Sequence, residues 1–152
     1  MNTDREILEK WIGRLADSQP EQFASLRAPD PDPFRNPVGY AVRESLSQIW
    51  QQLLTEMDQN VIDAALDTVL RIRAVQEVSP GQAVGFVFQL RPLIRDLSTT
   101  LDLAVLESRI DQLILVAFDK YTQCREEIIA VRFHEAERLR PRRHQLDRKG
   151  CP

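Results

Sequence analysis

The chain has 152 residues, 43% of them apolar and 28% charged, which suits one domain with a substantial core and excludes a disordered chain. Five glycines are too few for a turn-rich barrel or sandwich, and two cysteines, Cys124 and Cys151, are too few for a disulfide framework. The net charge of −3 is unevenly spread: Arg138 to Lys149 holds six basic residues against Asp147 alone, so this stretch carries +5 and the remainder −8.

An acidic body argues against nucleic-acid binding by the fold itself. The longest apolar runs, Ala83–Phe88 and Leu113–Phe118, fall far short of the roughly 20 residues of a membrane helix. The amino terminus is charged where a signal peptide would be apolar. The expectation is a soluble, cytoplasmic protein with no membrane span.

In chain order, Thr3 with Glu6 has the form of a capping box, followed by Ile7, Leu8, Trp11, Ile12 and Leu15 at helical spacing. Pro20 suits the first turn of a short helix through Phe23 and Leu26. Three prolines between Ala28 and Pro33 predict a stiff surface loop. Asn36-Pro37 then opens a helix carrying Val38, Val42, Leu46, Ile49, Trp50, Leu53 and Leu54 and ending near Met57. Asn60 and Asp63 open the next, through Ile62, Ala65, Leu66, Val69, Ile72 and Val75.

Ser79-Pro80-Gly81-Gln82 is the sharpest local signal: a cap, a first-turn proline and a capping-box Gln. Its helix runs through Val84, Phe86, Val87, Phe88 and Leu90 until Pro92 kinks or ends it. Thr99 with Asp102 opens a last helix reaching about Arg140 without Pro or Gly inside it. Its far end should project from the globule, whereas Leu113–Phe118, apolar all round, should mark a buried centre. The reading is all-α: a single globin-like domain of five or six helices over residues 1–140, with a long C-terminal helix, and a basic disordered tail over 141–152.

Chemistry is sparse. No phosphate loop, nucleophile–base pair or metal set is visible, so no enzyme activity and no metal are expected. His134-Glu135 begins an H-E-x-x-H pattern that fails at Arg138. No His precedes His134, which disfavours haem by the usual axial ligation, and no cofactor is expected. Gly81 and Gly85, four apart on one helix, suggest a close helix crossing. Arg73 lies on the buried stripe of its helix, where a charge needs a partner; Asp111 or Glu107 is the favoured one, and an anion pocket built from Arg73 and Gln76 is the alternative. Cys124 reads as a small buried hydrophobe, or else as a redox thiol helped by Arg125. The basic tail reads as a solvated end that complements the helix dipole, with contact to an acidic partner or nucleic acid as the lesser option.

Three stretches in order carry a family resemblance: Phe34-Arg-Asn-Pro-Val-Gly-Tyr40; Ile72-Arg-Ala-Val-Gln76 with Ser79-Pro-Gly-Gln-Ala-Val-Gly-Phe86; and Phe118-Asp-Lys-Tyr-Thr-Gln-Cys-Arg-Glu126. From about Ile7 to Arg138 the chain resembles the amino-terminal domain of RsbT co-antagonist proteins, the RsbRD amino-terminal domain family. The resemblance implies a haem-free, globin-like sensory domain that pairs as a dimer and sits above a STAS domain in stressosomes. About a dozen residues follow Arg140, against roughly 100 for a small domain, so a freestanding sensor or adaptor is expected. The polar residues of these motifs that structure alone does not require, Arg73, Gln76, Gln82, Tyr121 and Cys124, are the candidate ligand pocket.

The leading functional expectation is therefore a non-enzymatic regulatory or sensory domain in stress or metabolic signalling. It would act through homodimerisation and contact with a protein partner. A small-ligand or cofactor carrier, and a redox adaptor using Cys124, are the alternatives.

Overall fold

Pro92 shows how one residue shapes the fold. Its ring removes an amide and crowds the carbonyl four residues back, at Phe88. In the computed structural model, which describes residues 2–18, 23, 26, 32, 34–95 and 102–141, the helix stops at Phe88 and a new one starts at Leu90, so that Pro92 falls in a first turn where its missing N–H costs nothing. Among the described residues the elements are α1 (Asn2–Ser18), α2 (Pro37–Leu54), α3 (Gln59–Val75), α4 (Pro80–Phe88), α5 (Leu90–Ile94) and α6 (Leu103–Arg138). The all-α class and the long C-terminal helix hold as read from the sequence.

Local signals account for most boundaries. Asn36 caps α2 by accepting from the Gly39 amide, with Pro37 in the first turn. A Cβ at Gly39 would stand 2.4 Å from the Asn36 side chain, so the cap itself requires glycine there. Ser79 and Gln82 form the expected capping box on α4. Three boundaries differ from the sequence reading. α1 begins at Asn2, placing Thr3 inside the helix rather than at its cap. α2 ends at Leu54, and Met57 follows with φ of 55°, the left-handed conformation that finishes helices. Asp58, not Asn60 or Asp63, caps α3, its carboxylate accepting from the Asn60 amide. Asp102 caps α6; Thr99, Pro20 and most of the proline-rich stretch lie outside the described residues, as does the tail beyond Pro141.

α6 packs on α3 and α4, α2 on α3, and α1 on α2 and α5. The core holds Trp11, Trp50, Phe23, Leu26 and the inward faces of all the helices. The indole N–H of Trp11 donates to the Phe86 carbonyl at 2.6 Å, and the two rings stack 6.0 Å apart. Phe86 lies in the last turn of α4, where carbonyls lack helical partners. The break before Pro92 thus frees the acceptor that ties α1 to α4.

On α6 the buried residues are Leu106, Ile110, Leu113, Ala117, Tyr121 and Cys124, spaced by threes and fours along one face. From Ile129 to Arg140 every residue is exposed, as the projecting end predicts. The run Leu113–Phe118 departs from expectation. Leu113 and Ala117 are buried, but Leu115 is 69% and Phe118 48% exposed, so the centre of α6 is not covered all round. No described helix is long and apolar enough to cross a membrane.

Candidate functional site

Arg73 sits four residues after Val69 and three after Leu70, on the face of α3 that the core covers. It is 1% exposed. Its Nη2 donates to the Ser18 hydroxyl at 2.9 Å, and its guanidinium carbon stands 4.9 Å from the centre of the Phe23 ring. The Ser18 hydroxyl is committed in turn, donating to the Leu15 carbonyl at 2.7 Å. Among the described residues Arg73 Nε has no hydrogen-bond partner.

The favoured salt bridge to Asp111 or Glu107 is absent. Asp111 faces outward on α6 and pairs with Arg91, and among the described residues no carboxylate pairs with Arg73. Burial pushes the guanidinium down to about 10, opposed only by the neighbouring Tyr121 phenol. It therefore stays charged at neutral pH, and a cation–π contact with one hydroxyl is a thin replacement for its water.

The Arg73 side chain forms part of the wall of a cavity of about 230 Å³ between α1, α3 and α4. Arg14, Ser18, Gln82, Gly85, Phe86 and Gln89 complete the lining among the described residues. Arg14 at the rim donates to the Gln89 side chain at 3.1 Å. The Gln82 side-chain oxygen is taken by the Ser79 amide in the capping box, which leaves its NH₂ as a donor. Gly85 does not serve a close helix crossing, nor does Gly81: a Cβ at either would meet nothing within 4 Å.

Of the five candidate residues, the structure therefore brings Arg73 and Gln82 to one cavity. Gln76 caps α3 and is not part of the described lining; its side-chain oxygen is buried with no hydrogen-bond partner among the described residues. Tyr121 is buried and its hydroxyl donates to the Val78 carbonyl; burial raises its pKa. Cys124 stands apart between α3 and α6, with Sγ 4.0 Å from Asp67 Oδ1. Burial, foremost, pushes its thiol up, and the nearby cations that oppose this are Arg71 and Lys120. Arg125, the expected activator, instead donates to the Ala74 carbonyl at 2.8 Å. Arg14, Ser18 and Gln89 carry no sequence signal that sets them apart from ordinary helix-surface residues.

A second feature lies on the outer side of α6. At about 100° per residue, Leu115, Phe118, Ile129 and Phe133 fall within an arc of about 60°, roughly 130° round from the buried face. Ile129 and Phe133 are 56% and 61% exposed. Asp119, Glu126 and Glu137 run along one edge of this stripe, and Arg132, which pairs with Glu77, lies along the other. Among the described residues no group of His, Cys, Asp or Glu is arranged to hold a metal ion.

The sequence matches the family described as RsbT co-antagonist protein rsbRD N-terminal domain over residues 5–136. No curated protein and no solved structure matches it. The match spans most of the chain, which belongs to this family.

Proposed function

From that membership, we propose that the chain is a non-enzymatic regulatory and sensory domain in stress signalling, packed like a globin without haem, which acts as a homodimer through α6 and engages a protein partner. The family is a regulatory one whose members work by protein–protein contact, which supports the coarser part of this reading. The observation that carries the finer part is the exposed apolar stripe of Leu115, Phe118, Ile129 and Phe133. Large apolar side chains aligned on one helix face mark an interaction surface, whereas singly scattered ones do not. A second copy fits this stripe because the isologous contact of a two-fold dimer would bury it against its own counterpart.

Size-exclusion chromatography with light scattering, at tens of micromolar, should give a dimer. Phe118→Glu combined with Phe133→Glu should give a monomer of unchanged helicity by circular dichroism. A wild-type monomer at that concentration would sink the homodimer. The redox alternative gains nothing from the surroundings of Cys124, a buried thiol with a raised pKa. The ligand-carrier alternative has an observation of its own, the cavity at Arg73.

A further inference from the structure

A buried guanidinium normally answers a carboxylate, because taking a charge out of water is costly unless an opposite charge and full hydrogen bonding compensate. Among the described residues Arg73 has one hydroxyl, one aromatic ring and an empty Nε. It borders a cavity whose other available polar groups among the described residues, at Arg14 and Gln82, are donors. We propose that this cavity binds a small oxyanion, a carboxylate or a phosphate, through the Arg73 guanidinium.

Three features fit that occupant. The planar fork of Arg matches the two oxygens of a carboxylate or phosphate, and Ser18 holds one end of the fork in place. The volume, about 230 Å³, lies below the roughly 300–1,000 Å³ of sites for drug-sized ligands, which restricts the guest to a small molecule. Gly85 keeps the space open. Glycine inside a helix costs about 0.5–1 kcal/mol relative to Ala, and here no close packing offsets it, since a Cβ would meet nothing within 4 Å. The cavity lies between α1, α3 and α4, away from the outer stripe of α6. The binding proposal therefore goes beyond the homodimer reading and does not depend on it.

The test uses the full chain at fixed ionic strength, titrated separately with sodium phosphate, sodium propionate and neutral propionamide, and followed by calorimetry and thermal unfolding. The expected result is saturable binding of at least one anion, with a rise in Tm of a few degrees, and none with propionamide. Whichever anion binds identifies the source as phosphate or carboxylate. Arg73→Met should weaken that binding by at least about tenfold, a loss of about 1.4 kcal/mol, and Gly85→Leu should abolish it by filling the cavity. If Arg73→Met fails to fold, Gly85→Leu decides alone. No saturable anion binding by the wild type, equal binding of propionamide, or unchanged affinity in Gly85→Leu would each overturn the proposal. The oligomeric state, measured in the same samples, reports on the α6 reading separately.

Discussion

From Leu106 to Cys124, α6 places a buried residue at every third or fourth position; from Ile129 to Arg138 it places none. The backbone is one continuous helix throughout, so helical propensity does not distinguish the halves. What differs is whether another helix lies against them. The comparison is sharpest at two leucines, Leu113 and Leu115, two residues apart and about 160° apart around the axis. Leu113→Ala empties a closed core site and should cost about 2–5 kcal/mol in urea unfolding. This is the largest single effect expected on α6. A cost under about 1 kcal/mol would mean that the core does not close around this residue.

Both halves of α6 reach the same connection between α3 and α4. Tyr121 donates to the Val78 carbonyl from within the core, whereas Arg132 pairs with Glu77 at the exposed surface. Glu77 itself has φ of 59°, so this is the left-handed residue at which α3 ends. Tyr121→Phe leaves a carbonyl without its donor and should cost about 1–3 kcal/mol. The pH dependence has a definite sign. Burial raises the Tyr121 pKa, so the folded state holds this proton more tightly than the unfolded chain. Its contribution is complete below the ordinary tyrosine value of about 10 and is lost as the pH rises through the folded value. The stability gap between wild type and Tyr121→Phe should therefore be constant from neutral pH to about 9 and narrow above about 10. Lys120, raised by its bond to Asp63, loses stability in the same direction, and Arg73, lowered by burial, shifts the other way. Lys120 cancels in the difference, whereas Arg73 cancels only in part, because Tyr121 helps to hold its proton.

The sequence shows best what is decided within a few residues. Asn36-Pro37 and Ser79-Pro80-Gly81-Gln82 cap the helices they precede because cap and amide are at most three positions apart. Asp58 does not stand out as the cap of α3, because Asn60 and Asp63 are also good capping residues and local pattern does not rank them. The candidate site was half legible. Arg73 stands out on a buried stripe, but its partner depends on which way α6 turns Asp111, and α6 turns it outward to Arg91. Arg14, Ser18 and Gln89 meet Arg73 and Gln82 only through the packing of α1 on α4 and α5. The run Leu113–Phe118 misled for a different reason: six consecutive apolar residues carry no periodicity. Nothing in the sequence distinguishes a helix covered all round from one with a core face and an exposed apolar face.

The smallest expected effects are on that exposed face, and they are the ones that discriminate. Leu115→Ala and Arg132→Ala should leave the unfolding of dilute protein unchanged, within about 0.5 kcal/mol for the leucine and without measurable change for the arginine, whose ion pair is screened by solvent. If Leu115→Ala instead costs as much as Leu113→Ala in dilute solution, the outer stripe belongs to the core of the monomer. If it costs nothing at any concentration, the stripe is merely solvated. Association predicts a third pattern: the Tm of a dimer rises with protein concentration by mass action. Wild type should show that rise, Arg132→Ala should largely retain it, and Leu115→Ala should lose part of it while matching wild type at high dilution.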